Sequence, residues 1–477
     1  MKADIPTTGR ATPAFGSRSR TIALLVAGAF FMENLDGTVI VTAMPQMAAS
    51  FGVHPIDLNV GLSAYLLTLA VLMPASGWMA DRFGARLIFA IAIVIFTVAS
   101  VLCGLCQNLT AFTLARILQG TGGAMMVPVG RLAVLRAASK HELVNAIAVI
   151  TWPGLAAPVL GPPLGGFITT YASWHWIFFL NVPLGLIALP FAVRLIPPRA
   201  DEAPRPFDGI GFVLIGVACF TVMYGVELVG RGGASWPLAS LWVLGGIVAG
   251  TLAVLYGKRA AHPLVDLRAL SVRSYATTIR GGSLSRIAIA SIPFLLPLLF
   301  QVGFGLSAFA SGLLLLAVFA GNLMMKPFTT PIVRRFSFRA ILITSGLLNA
   351  ALMFSYALLT PASPTAVVIV LLFAGGLTRS LQFTALNTLA FAEVPTERMS
   401  GANTLLNIAQ QMSMGMGIAL GAVALRVAGL FGTNASGGIL LSDFRVAFVI
   451  VGVIALISIF DALTLSRTAG DAVRVRK

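Results

Sequence analysis

The sequence predicts an all-α polytopic membrane protein of fourteen transmembrane helices with both termini in the cytoplasm. Three observations predict it. Hydrophobic residues make up 58% of the 477-residue chain and charged residues only 10%, where a soluble domain carries about 25% charged residues. Polar breaks cut the chain into apolar runs close to the roughly 20 residues that cross a bilayer as a helix. Lys and Arg fall almost wholly on alternate sides of those runs.

The runs are 22–45, 59–79, 87–106, 110–130, 143–168, 176–194, 208–229, 237–257, 275–300, 308–326, 340–360, 365–390, 402–425 and 446–466. With the N-terminus inside, 25 of the 32 basic residues lie in the two tails and the inner loops. The outer loops hold Arg231, Arg426 and Arg445, while Arg116, Arg280, Arg286 and Arg379 fall within spans. A net charge of +16 would suggest nucleic acid in a soluble protein. Distributed this way it reports topology, so the partner expected from the charge is the bilayer with its anionic headgroups, and no nucleic acid. Lys2, Arg10, Arg18 and Arg20 precede the first run as in a secretory signal, but the run is too long and too acidic to be cleaved and should stay as the first span.

That first span, Ile22 to Pro45, organises the chain because it carries Glu33 and Asp36. An acid at mid-span costs roughly 2.5–3.5 kcal/mol on insertion scales and marks a proton, ion or substrate path. On a helical wheel Glu33, Asn34, Asp36, Gly37, Thr38 and Thr42 share a broad arc, leaving Met32, Leu35, Val39 and Ala43 for lipid.

Span two ends in Gly77-Trp-Met-Ala-Asp81-Arg82-Phe-Gly84-Ala85-Arg86, where glycines allow a tight turn and the charges can bridge helix ends at the inner boundary. A degraded copy, Val333-Arg-Arg-Phe336-Ser-Phe-Arg339, follows 253 residues later. It points to duplicated halves, spans one to six and nine to fourteen, packed about an axis along the membrane normal, with spans seven and eight inserted. The expected boundaries are 1–198, 199–270 and 271–477, the first of them in the proline-rich linker from Ile196 to Asp208. In span three Cys103 and Cys106 read as small apolar residues on one helix face, not as a redox pair.

Arg116 in span four needs an intramembrane partner, and Asp36 or Glu33 is the obvious kind. Span five holds Pro153, Pro158, Pro162 and Pro163 with Gly154, Gly161, Gly165 and Gly166, giving a kinked helix against which a neighbour can slide or seal. Trp174-His175-Trp176 reads as an interfacial aromatic anchor, and Glu227 in span seven as a wet interfacial acid. In the second half Arg286 is the charged candidate for the far wall of a cavity. Asn403, Asn407, Gln410 and Gln411 form a polar stripe in span thirteen that either lines a path or bonds to neighbouring helices, with Gln382 and Asn387 a weaker version in span twelve.

Three absences narrow the chemistry. There is no GxxxxGK[ST] loop, so ATP is not a direct energy source; His141-Glu142 lacks the second histidine of HExxH; and no paired acids at a helical repeat would hold Mg²⁺. A transporter with no cofactor is expected rather than an enzyme.

These motifs resemble the major facilitator superfamily, in its fourteen-helix branch of drug:proton antiporters and the bacterial members of the MdtD and HsrA kind. Leu35 to Pro45 is similar to the first-helix signature, Gly77 to Arg86 to the loop two–three motif, Arg116 with Gln119 and Gly120 to the fourth-helix motif, and Gly154 to Gly166 to the antiporter motif of helix five. Ala85 and Thr42 depart from the usual basic residue and Asn.

The resemblance implies two six-helix bundles rocking around a central cavity in the inner membrane. Asp36 would be the protonatable coupling residue and Arg116 its charge partner, with Asp81 and Arg82, flanked by Gly77, Gly84 and Arg86, a cytoplasmic latch. Pro158, Gly161, Pro162 and Gly165 would form a hinge or seal. Glu33, Asn34, Arg286, Gln382, Asn403, Asn407 and Gln410 are the cavity candidates. The expected function is proton-coupled export of amphipathic or cationic compounds. The alternative is proton-coupled transport of an organic anion or metabolite through Arg116 and Arg286, by export or uptake. The oligomeric state is open between a monomer and an assembly with accessory efflux proteins.

Overall fold

Hydrocarbon offers the backbone no water, so each apolar span must close its own hydrogen bonds as a helix. The structure, a computed structural model, describes residues 17–137, 143–198, 206–231, 236–260, 263–265, 267–395, 398–431 and 439–471. Lys2, Arg10, Lys140, His141, Glu142, Arg199, Pro204, Arg205, Arg474, Arg476 and Lys477 lie outside them, as do the side chains of Arg18, Trp152, Pro153 and Gly154.

The first bundle comprises α1 (Ser17–Phe51), α2 (Asn59–Phe83), α3 (Ala85–Leu105), α4 (Leu109–Ala137), α5 (Leu143–Tyr171), and a sixth span made of α6 (His175–Phe179) and α7 (Asn181–Leu195). An inserted hairpin follows, α8 (Gly209–Arg231) and α9 (Trp236–Gly257). The second bundle is α10 (Arg273–Leu298), α11 (Ala308–Arg335), α12 (Phe338–Ala357), α13 (Thr365–Ala392), α14 (Met399–Phe431) and α15 (Leu441–Leu463). These are the fourteen spans expected. Among the described residues twelve helices are long and apolar enough to cross a membrane, and α4 and α5 add 29 residues each.

Packing repeats between the halves. In the first, α1 packs on α5, α2 and α3 on α4, and α3 on α7; in the second, α10 packs on α14, α11 and α12 on α13, and α12 on α15. The bundles meet along two seams that exchange under the same correspondence, α5 with α11 and α2 with α14. The insert backs one of these seams, because α8 lies on both α2 and α14, while α9 turns Leu241, Leu244 and Ile247 outward. Asp208 fastens the hairpin by accepting from Tyr256 Oη at 3.0 Å and from the Leu264 amide at 2.8 Å.

Two glycine sites show why those residues are required. Gly84, at φ +90°, makes the tight turn from α2 to α3 in a conformation that side chains resist. Gly165 of α5 faces the Val39 carbonyl and the Thr42 hydroxyl of α1 so closely that a methyl group would land on them, and Gly161 does the same against Thr38. Small residues thus let α1 and α5 approach backbone to backbone. Helix α5 is assigned continuously through its prolines.

Three sequence expectations change. Met32, Leu35, Val39 and Ala43, assigned to lipid, are all buried, because α1 is surrounded by α4, α5, α7, α10 and α11 and a wheel cannot count neighbours. Glu227 is no wet interfacial acid: it is 3% exposed and accepts from Asn59 Nδ2 at 3.0 Å, joining the insert to α2. Trp174 packs inside against Phe51 and Phe178, leaving Trp176, 60% exposed, as the outward-facing ring.

Candidate functional site

A cavity of about 340 Å³ lies between the bundles, midway along the helices. The first bundle contributes Glu33 and Asn34 of α1, Tyr65 of α2, Arg116 of α4, and Pro158 and Pro162 of α5. Facing them are Phe294 of α10, Phe319 of α11, Arg379 and Phe383 of α13, and Gln411 and Met414 of α14. The walls are mainly apolar and aromatic with few polar groups, the usual make-up of a small-molecule site.

Behind the first wall lies a buried ion pair. Arg116 Nη1 donates to Asp36 Oδ2 at 2.6 Å and also to Gln119 Oε1, and its guanidinium carbon sits 4.1 Å from the centroid of the Tyr65 ring. Gln119 Nε2 and Asn181 Nδ2 each donate to Asp36 Oδ1 at 2.9 Å, and both also reach Ser100 Oγ. Every partner of the Asp36 side chain is an N–H donor, the arrangement that suits a carboxylate. Asp36 is 2% exposed and does not line the cavity; Arg116 stands between them.

Glu33, one turn earlier on α1, has no such partners. Its Oε2 is buried without a hydrogen bond, and so is the Tyr65 hydroxyl; both flank Gly123, whose missing side chain leaves them room.

The second bundle rearranges the sequence candidates. Arg286, expected on the far wall, lies behind it, donating to the Thr278 carbonyl at 3.3 Å and to Asn387 Oδ1 at 3.1 Å. Arg379 takes that position instead. Sequence reasoning assigned it no role, yet a signal existed: Arg116-Ile-Leu-Gln119 recurs as Arg379-Ser-Leu-Gln382 in the matching span. Gln382 is buried off the cavity, donating to Ser285 Oγ at 2.5 Å and accepting from Asn349. Gln410 donates to Asn387 Oδ1 at 2.9 Å, tying it to the Arg286 group. Asn407 is half-buried and Asn403 exposed, on the α14 face that continues into Gln411 and Met414. Ser100 and Tyr65 also went unassigned, since single polar residues in spans carry no spacing signal, and Asn181, read with the interfacial aromatic run, instead bonds to Asp36.

The polar contacts between the bundles cluster toward the face opposite the chain termini. Gln301 Nε2 donates to the Thr42 carbonyl at 3.1 Å, the Phe309 amide to Thr170 Oγ1 at 3.1 Å, and Arg426 pairs with Asp57 at 2.8 Å. There Gly312 of α11 abuts the Pro162 carbonyl, and Phe309 packs edge-on to Phe167 and Tyr171. Pro158 and Pro162 thus border the cavity while Gly161 and Gly165 hold α5 to α1. At the terminal face Asp81 pairs with Arg136 of its own bundle at 2.8 Å, both largely exposed. Arg82 is exposed beside it, Arg86 is half-buried, and Gly77 has open space where a side chain would stand.

Residues 26–418 match the family model described as Major Facilitator Superfamily. The chain belongs to that superfamily. Among curated relatives it is 36% identical over 407 residues to the protein of Yersinia enterocolitica named MdtD for multidrug resistance, covering 84% of this chain and 86% of the relative. The MdtD of Salmonella paratyphi B is 39% identical over 419 residues, 87% of each. The MdtD-like branch is therefore the right one. In fold the chain is similar to an auto-inhibited POT family peptide transporter, with a TM-score of 0.68, 15% identity and coverage of 96% and 97%. It also resembles a D-xylose–proton symporter, with a TM-score of 0.66, 16% identity and coverage of 95% and 98%. The protein is a multi-span membrane transporter, not an enzyme.

Proposed function

We propose that this transporter is a proton-coupled exporter of small amphipathic compounds, working by alternating access in the bacterial inner membrane with both termini in the cytoplasm. The observation that carries the reading is the buried Asp36–Arg116 pair set directly behind the wall of a cavity that is closed toward one face. The relatives named for multidrug resistance support the substrate class. The basic inner loops support a cytoplasmic terminal face; with that orientation the contacts of Asp57, Thr42, Thr170 and Pro162 would form the outer closure and the cavity would face inward.

In this scheme the ionised Asp36 holds Arg116 in the interior of the first bundle. A proton reaching Asp36 from outside cancels the attraction, and Arg116 must then find another partner, which changes the wall it presents and favours one access state; loss of the proton to the cytoplasm restores the pair. One charge moving across 100 mV supplies about 2.3 kcal/mol, enough to bias two states separated by a few kcal/mol. No cofactor enters. Asp81 and Arg82 act as the inner latch only in the opposite state, since here Asp81 is occupied by Arg136.

The test is Asp36→Asn in proteoliposomes with an imposed pH gradient. Gradient-driven substrate movement should vanish while expression and the monodisperse elution profile persist. Full coupled transport by that variant would refute the role of Asp36.

A further inference from the structure

An acid and a base in the cavity wall, Glu33 and Arg379, make no hydrogen bond or ion pair among the described residues, and they stand on opposite bundles. Arg379 makes no hydrogen bond or ion pair among the described residues; its Nε is buried and unpartnered, and its one polar contact is the face of Phe383, 5.4 Å from the ring centroid. Glu33 across the cavity leaves Oε2 buried and unpartnered. Arg116, the other cation in the wall, is already matched by Asp36.

The two free groups differ chemically. A carboxyl can neutralise itself by taking a proton, whereas a guanidinium remains charged at any physiological pH. An unpaired cation against an apolar wall is costly, and among the described residues of the second bundle none relieves it: the place that Asp36 fills beside Gln119 is filled beside Gln382 by the neutral Ser285. An anionic group in the cavity would supply the missing counter-charge.

We infer that the substrate is an amphipathic zwitterion whose acidic group pairs with Arg379 and whose ammonium group pairs with Glu33, the apolar body lying against Phe294, Phe319 and Phe383. This deepens the export reading and rests on it for the physiological role. It also sets how the ligand spans the bundles, since its two ends attach to opposite halves.

Three versions of one scaffold separate the charges: norfloxacin, which carries a carboxylate and a piperazinium; its ethyl ester, which keeps only the cation; and its N-acetyl derivative, which keeps only the anion. Binding to the purified full-length protein in nanodiscs, read by ligand fluorescence, needs no proton gradient. The parent should bind more tightly than either derivative. Arg379→Gln should weaken the parent and the N-acetyl compound about tenfold or more and leave the ester unchanged. Glu33→Gln should weaken the parent and the ester and leave the N-acetyl compound unchanged, and Arg379→Lys should recover part of the loss. Equal effects of Arg379→Gln on all three, wild-type affinity for the ester matching that for the parent, or no binding by any of the three would overturn the inference. Charge-selective binding without gradient-driven transport would sink the export reading alone; gradient-driven efflux of a plain cation, indifferent to Arg379, would sink the zwitterion alone.

Discussion

The two bundles share a scaffold and treat its buried arginine in opposite ways. In the first, Arg116 and Gln119 of α4 meet Asp36, and the resulting network through Asn181 and Ser100 turns away from the cavity. In the second, Gln382 of α13 meets Ser285 and Asn349 in a neutral network that Thr378 extends at 2.8 Å, while Arg379 turns toward the cavity without a carboxylate. A single side chain divides the halves: an acid closes an ion pair inside the first bundle, and a hydroxyl stands in its place in the second.

The most severe test of that division is stability. Removing Arg116 strands a buried carboxylate, so Arg116→Gln should cost about 3–5 kcal/mol, whereas Arg379→Gln removes a costly unpaired charge and should leave stability unchanged or raised. Denaturant unfolding in detergent, followed by tryptophan fluorescence, compares them. Equal losses would erase the distinction between the halves.

The two seams differ in a similar way and give a smaller effect. Gly312 meets backbone, the Pro162 carbonyl, whereas Gly415 of α14 meets the flexible end of Met223 on the inserted α8. Backbone cannot yield, but a thioether can. Gly312→Ala should cost about 1–3 kcal/mol and increase labelling of a cysteine placed beside Phe309, while Gly415→Ala should cost less than about 1 kcal/mol and leave the labelling unchanged. If Gly415→Ala opens the molecule as readily, the insert does not cushion its seam.

The smallest effect concerns the two faces. Asp57–Arg426 joins the bundles and is 22% and 31% exposed, whereas Asp81–Arg136 stays within one bundle at 44% and 42%. Exposed pairs contribute roughly 0.2–1 kcal/mol. Asp57→Asn should therefore shift the closed-to-open ratio at the face opposite the termini by up to about fivefold, read by the same labelling, and the exchanged pair Asp57→Arg with Arg426→Asp should restore it. Asp81→Asn should leave that face unchanged.

Much of this was legible in the residues, for a physical reason. Hydrocarbon length, the sidedness of the basic loops and the 253-residue repeat of the loop motif are properties of the chain against a bilayer, so they yield the spans and the duplication without knowledge of packing. The partnership of Asp36 with Arg116 follows likewise, because two opposite charges in oil have few other choices. What the sequence could not decide is which side of a helix faces what. Glu33 and Asp36 lie on one arc of α1, yet the first opens on the cavity and the second on the interior of its bundle. Arg286 and Arg379 are both single cations in apolar spans, yet α10 turns one toward Thr278 and Asn387 while α13 turns the other toward the cavity. Periodicity fixes how residues are arranged around a helix, but only the helices packed against it decide which of those directions is lipid, core or cavity.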